Sequence, residues 1–226
     1  MNSVNRTVVH LLRHGKVHNP QGLLYGLLPG FHLAASGREM ALAVADSLAG
    51  RDITHLVASS LLRAQETAAP IAAAFGMTVV TDDRVIEATN VFQGSAVVGK
   101  GGALTKPSNW LKLRRPLEPS WGEPYLDVAH RMMAGIADAE RIARGHEAVI
   151  VSHQLPIWTA RRYLEGKRLW HNPSSRECSV ASLTSLTFEN GVFQRADYSE
   201  PAGHIPAVDD PPGTPAGPAP AAGGAA

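Results

Sequence analysis

Arg13 and His14 end one short apolar run, Arg63 lies just beyond a second, and His153 directly follows a third. Two arginines and two histidines so placed suit phosphoryl transfer. A guanidinium keeps its charge at any working pH and offers phosphate oxygens two parallel N–H donors. A neutral imidazole can attack phosphorus and form a phosphohistidine, which splits one difficult displacement into two. The leaving oxygen then needs a proton. Glu87, in the segment DRVIEAT, is the best placed carboxyl to give it, provided burial or an adjacent phosphate raises its pKa. Read from the residues alone, other fates stay open. Arg63 suits a solvated helix position paired with Glu66, His153 a satisfied core histidine, and Glu87 a solvated loop carboxyl beside Asp82 and Asp83.

The elements that must position these groups are legible in the pattern. Thr7–Leu12 (TVVHLL) reads as a buried strand that delivers Arg13, His14 and Gly15 to a loop, and Ile53–Ala58, Met77–Val80 and Glu147–Ser152 read as further strands. Between them, one helix opens at Ser36 and Gly37 and stops before Gly50. Ser59 and Ser60 cap a second that runs through Phe75. Pro124 opens a long amphipathic helix to about Arg144, and another starts near Pro156. Val180–Phe188 and Val192–Tyr198 flank Glu189-Asn190-Gly191, a hairpin signal. Strands alternating with helices predict a three-layer α/β/α sandwich, its mostly parallel central sheet carrying an antiparallel edge. In that class ligands bind beyond the carboxyl ends of the strands, where the arginines and histidines fall.

Two segments fit no period. Residues 88–122 form an insertion with Lys100, Lys106, Lys112, Arg114 and Arg115 beside Trp110 and Trp121. It reads either as a cap that binds the non-reacting part of an anionic substrate or as a solvated loop. From Pro201 to Ala226, Pro, Gly and Ala fill twenty of twenty-six positions, which predicts a disordered tail on a single domain of residues 1–200.

The motifs Leu12-Arg13-His14-Gly15, Ser59-Ser60-Leu61-Leu62-Arg63-Ala64-Gln65-Glu66-Thr67-Ala68, Glu87 and Val151-Ser152-His153, in that order, resemble the histidine phosphatase superfamily (phosphoglycerate mutase-like, branch 1) over about residues 7–200. The resemblance implies that His14 is the phosphorylated nucleophile, that Arg13, Arg63 and His153 hold the phosphoryl oxygens, and that Glu87 is the general acid and then base. It implies no metal and no organic cofactor. Asn19 resembles the family's phosphate-contacting asparagine, one residue closer to the nucleophile than usual. Lys16 stands where many relatives carry an acid, and Gln154 where glycine often follows the second histidine. The arginine-tyrosine-aspartate segment of the mutase branch is absent, so a phosphatase is expected. A phosphoglycerate mutase-type phosphotransferase and a catalytically silent phospholigand-binding protein are the alternatives.

Bulk composition narrows the rest. A net charge of +1 gives no field for nucleic acid or membrane surfaces, so the expected partner is a small phosphorylated substrate. The lone Cys178 allows no internal disulfide, and the remaining histidines show no metal-ligand spacing on a predicted helix. With no signal-peptide pattern and no apolar run long enough to span a bilayer, a cytoplasmic protein is expected. No pairing signature such as a heptad repeat indicates an oligomeric state.

Overall fold

A computed structural model describes residues 5–96, 119 and 121–211. The cluster of Lys100, Lys106, Lys112, Arg114, Arg115 and Trp110 lies outside the described residues, as does the tail beyond residue 211. The described elements run β1 (Arg6–Arg13), α1 (Ala35–Ser47), β2 (Ile53–Ala58), α2 (Leu62–Phe75), β3 (Val80–Thr81), α3 (Tyr125–Ile142), β4 (Glu147–Ser152), α4 (Gln154–Leu164), β5 (Leu183–Glu189) and β6 (Val192–Ser199).

The strands form one sheet in the order β3-β2-β4-β1-β5-β6. β1 pairs in parallel with β4, β4 with β2 and β2 with β3, while β5 and β6 add an antiparallel edge. The turn between β5 and β6 holds Asn190 at φ 52° and Gly191 at φ 79°, the two positive values that a tight hairpin needs and that this dipeptide tolerates.

Side-chain alternation along the strands builds two cores. Val9, Leu11, Ala148 and Ile150 face α3 and α4, whereas Leu12, Val149 and Val151 face α1 and α2. α3 presents Val128, Met132, Ile136 and Ala139 at helical spacing to the first core. The result is the expected α/β/α sandwich, with β1 and β4 covered on both faces. Among the described residues, no helix is long and apolar enough to cross a membrane.

Two expectations need correction. The third strand is Val80–Thr81 rather than Met77–Val80: Gly76, at φ 62°, ends α2, and the chain joins the sheet edge only after Val79. More consequentially, residues 201–211 are placed against the domain. Ala202 and Ile205 are buried in the α1/α2 core, and Val208 accepts a hydrogen bond at its carbonyl from Ser36 Oγ at 2.7 Å. Asp209 accepts from Lys16 Nζ at 3.1 Å and from the Asn19 N–H at 2.8 Å. Asp210 accepts from the Ala35 N–H at 2.6 Å, where α1 begins. Two small apolar side chains and two carboxylates thus anchor a strap, although its composition resembles a disordered chain.

Candidate active site

β1 and β4 lie side by side in register, Arg13 opposite Ser152, so His14 and His153 leave the same end of adjacent strands. Their rings sit 5.1 Å apart, centroid to centroid. The backbone fixes the loop after β1: the His14 N–H donates to the Ser152 carbonyl, and the Ala181 N–H donates to the Arg13 carbonyl, both at 3.1 Å. Gly15 is required there by space. A Cβ on it would lie 2.5 Å from the Gly37 carbonyl oxygen, and a Cβ on Gly37 would lie 2.0 Å from that of Lys16. The start of α1 and the loop that carries His14 therefore meet backbone to backbone.

His14 is 2% exposed. Its Nδ1 lies 2.8 Å from the Gly15 carbonyl oxygen, a group that only accepts, so Nδ1 carries the proton and the lone pair of the neutral ring is on Nε2. Burial, and then the charges of Arg63 and Arg13, hold this imidazole well below its ordinary pKa. The neutral form is favoured.

α2 delivers Arg63 from its first turn. The Gly15 N–H donates to Thr67 Oγ1, and that hydroxyl donates to the Arg63 carbonyl, which ties α2 to the loop that carries His14. Arg63 is 1% exposed and donates from Nη2 to the Gly26 carbonyl at 2.6 Å. It does not pair with Glu66, which instead binds His32 and the Leu33 N–H. The surface-pair alternative for Arg63 is thereby excluded. Arg13 donates from Nη1 to the Cys178 carbonyl at 2.7 Å. His153 meets Ser59 Oγ through Nε2 at 2.7 Å; burial, then His14 and the two arginines, keep its pKa well below the ordinary value. Arg13 Nε, Arg63 Nε and His153 Nδ1 are buried without a hydrogen-bond partner among the described residues. Buried polar groups cost free energy when unpaired, so three of them around one imidazole mark a place built for an acceptor-rich ligand.

A cavity of about 250 Å³ opens beside His14, its walls including Arg13, Tyr25, Glu87, Trp121, Tyr125 and Arg176. Glu87 reaches it from a well-braced turn. Ser152 Oγ donates to the Val85 carbonyl at 2.6 Å, and Arg131 of α3 donates to the carbonyls of Arg84 and Ile86 while its other nitrogens grip Glu123. Burial pushes the Glu87 carboxyl above its ordinary pKa, against the Ala88 N–H and the charges of Arg63, Arg13 and Arg176. Among the described residues, no group of three or more His, Cys, Asp or Glu could hold a metal ion.

The sequence matches the histidine phosphatase superfamily, branch 1, over residues 9–200. This chain belongs to that superfamily. An uncharacterized protein of Mycobacterium tuberculosis is 55% identical to it over 196 residues, spanning 87% of this chain and 97% of the relative. A probable phosphoglycerate mutase, GpmB, of Yersinia enterocolitica is 30% identical over 208 residues, spanning 85% of each chain. Among solved structures, a mycobacterial glucosyl-3-phosphoglycerate phosphatase superposes with a TM-score of 0.69 at 25% identity, covering 86% of this chain and 99% of that one. The superfamily thus includes both phosphatases and mutases among this chain's relatives.

In this histidine phosphatase superfamily member the residues read from the sequence fall in two places. Arg13, His14 and Glu87 line the cavity, whereas Arg63 and His153 pack behind it, and Trp121 is the one indole of the insertion within the described residues. Tyr25 packs against both Arg63 and His14: its ring lies under the guanidinium at 4.7 Å and meets His14 edge-on at 6.4 Å. Asn19 is not brought to the cavity wall. Its side chain closes on Leu23, donating to the carbonyl and accepting from the N–H. Tyr25, Tyr125, His171 and Arg176 were not foreseen. Tyr25 had a local signal, since it directly precedes Gly26 in a turn near His14, but Arg176 had none.

Proposed function

We propose that this histidine phosphatase superfamily member is a metal-independent phosphatase that hydrolyses a phosphomonoester of a small molecule through a phosphohistidine on His14, with Glu87 as proton donor. One observation carries the reading: the Gly15 carbonyl holds the Nδ1 proton of a buried, neutral His14, leaving Nε2 as the nucleophile beside two arginines and a carboxyl of raised pKa.

In the first step His14 Nε2 bonds to phosphorus as the ester P–O bond breaks, and the departing oxygen takes the Glu87 proton. Arg13, Arg63 and His153 Nδ1 hold the three other phosphoryl oxygens; in the tautomer that carries the proton on Nδ1, Nε2 accepts from Ser59 Oγ, 2.7 Å away. In the second step water bonds to phosphorus, the P–N bond breaks, and the Glu87 carboxylate takes the proton of the water. Inorganic phosphate leaves and Glu87 is protonated again. Every role is filled by a side chain. The lone buried Cys178, its thiol pushed up to about 11 by burial, suits a reducing cytoplasm and takes no part.

A mutase-type transfer shares the first step and differs only in the acceptor of the second. The 30%-identical probable mutase favours it; the missing mutase-branch arginine-tyrosine-aspartate segment favours water. Hydrolysis of an aryl phosphate in the presence of a chelator tests the proposal. Release of phosphate by wild type and its loss in His14→Ala support it. Equal rates for the two proteins, or release of a phosphate isomer in place of inorganic phosphate from a phosphorylated hydroxy acid, would overturn it.

A further inference from the structure

The cavity is lined by an arginine that the phosphoryl chemistry on His14 does not use, Arg176. Arg13 and Arg176 line it with Glu87 and Glu123, and two more guanidiniums stand behind its wall, Arg63 beside His14 and Arg131 on Glu123. Glu123 is taken by Arg131, which grips both of its oxygens at 2.8 and 2.9 Å. A bound phosphomonoester dianion balances Arg13 and Arg63, and Glu87 is neutral while it is the proton donor. Arg176 is then left without a counter-charge.

Its surroundings hold it without neutralising it. Arg176 Nε donates to His171 Nε2 at 2.8 Å, and Nη1 reaches Gln154 Oε1 at 3.4 Å. His171 must accept there, because its Nδ1 donates to the Leu169 carbonyl at 2.6 Å, and burial holds its pKa below the ordinary value. The imidazole is itself wedged against Tyr125 and Trp158. A neutral histidine and a neutral amide therefore fix the plane of the guanidinium, a fork set in advance for a planar or tetrahedral anion. Arg176, Gln154, Trp121 and Tyr125 all line the cavity that His14 and Glu87 line.

We infer that Arg176 is the specificity residue of this site and that the substrate carries a second anionic group, a carboxylate or a second phosphate, on the part that does not react. The inference rests on the proposed phosphatase reading for the position of the first phosphate. Arg176 binds the far end of the substrate and takes no part in bond breaking, so its effect belongs in KM rather than kcat.

The test compares kcat/KM for a phosphorylated hydroxy acid, a bisphosphorylated diol and a phosphorylated monoalcohol of the same length, in wild type, Arg176→Gln and Arg176→Lys. Arg176→Gln lowers the ratio of charged to uncharged substrate by roughly ten-fold or more, through KM, and Arg176→Lys, which keeps the charge and loses the fork, falls between. Comparing the acid with the bisphosphate identifies the second anion. A ratio unchanged in Arg176→Gln, or equal losses on all three substrates, would overturn the inference. If wild type turns over none of the esters, the hydrolytic reading fails, and calorimetry with the matching phosphonates still decides this one. Tighter binding of the charged phosphonate that disappears in Arg176→Gln upholds the role of Arg176; equal binding of charged and uncharged phosphonates contradicts it.

Discussion

The two ends of the central sheet hold buried charge in opposite ways. At the amino end, His10 bridges Ser185 Oγ and Glu147, and Arg51 donates twice to the same carboxylate at 2.6 and 3.1 Å. His146 and Asp52 pair beside them. At the carboxyl end, by contrast, Arg13, Arg63, Arg176, His14 and His153 face a single uncommitted carboxyl, Glu87, and three buried nitrogens have no partner among the described residues. Both ends shift pKa values. The amino end does so by satisfying a carboxylate, the carboxyl end by burying bases and an acid with too little compensation. A shifted pKa alone therefore separates neither end from the other, and the pairing of each group does.

That contrast breaks first at His14. Replacing it with alanine removes the proposed nucleophile and is expected to lower aryl phosphatase kcat by roughly 10⁴-fold or more, measured as phosphate release, while the melting temperature barely moves. Comparable activity in the variant would make the carboxyl end a mere binding pocket.

Glu87→Gln comes next. It is expected to cost about 10²–10⁴-fold on an alkyl phosphate, whose alkoxide needs a proton, and much less on a nitrophenyl phosphate, whose leaving group does not. The pH profile sharpens the assignment. In wild type, kcat/KM is lost as pH falls through the lowered His14 pKa, because the nucleophile protonates. It is also lost as pH rises through the raised Glu87 pKa, because the donor is ionised. The glutamine variant keeps the first limb and loses the second on the same substrate.

At the amino end the expected damage is to stability. Burial pushes the Glu147 carboxyl up, but hydrogen bonds and charge from His10 and Arg51 overcome it and bring the pKa down to about 2. A depressed carboxylate pKa stabilises the fold above the ordinary carboxylate range of about 4.3, and that contribution is lost as pH falls toward 2. Glu147→Gln should therefore cost about 1–2 kcal/mol in urea unfolding at pH 7, since Arg51 keeps solvent contact and screens the pair. The gap to wild type should close below pH 4, with phosphatase activity retained.

The smallest effect belongs to the strap. Asp210→Ala removes the acceptor at the Ala35 N–H and should lower stability by about 0.5–1 kcal/mol by the same denaturation assay.

How much of this was legible follows from the range of each interaction. Ile53–Ala58 and Glu147–Ser152 are strands over the residues read from the sequence, because a β-branched apolar run bounded by polar residues is a local signal. Arg13 and His14 were legible on the cavity rim because strand ends share it, whereas Glu87 reaches it only through the turn after β3 that Ser152 and Arg131 brace. Arg176 was not legible. Its loop has no period, and only the packing of His171 between Tyr125 and Trp158 brings it to the cavity. Asn19 misled for the same reason, since its amide is spent on Leu23. The strap misled because average composition conceals four anchoring residues, Ala202, Ile205, Asp209 and Asp210.

The central claim is that the unpaired charge at the carboxyl end serves a covalent phosphohistidine on His14. Rapid acid-free quenching of wild type mixed with a radiolabelled phosphomonoester, followed by peptide mapping, tests it most directly. The account predicts label on the protein that is acid-labile, alkali-stable and confined to the peptide bearing His14, and no label in His14→Ala. Phosphate release at an undiminished rate in His14→Ala, or label on another residue, would contradict it.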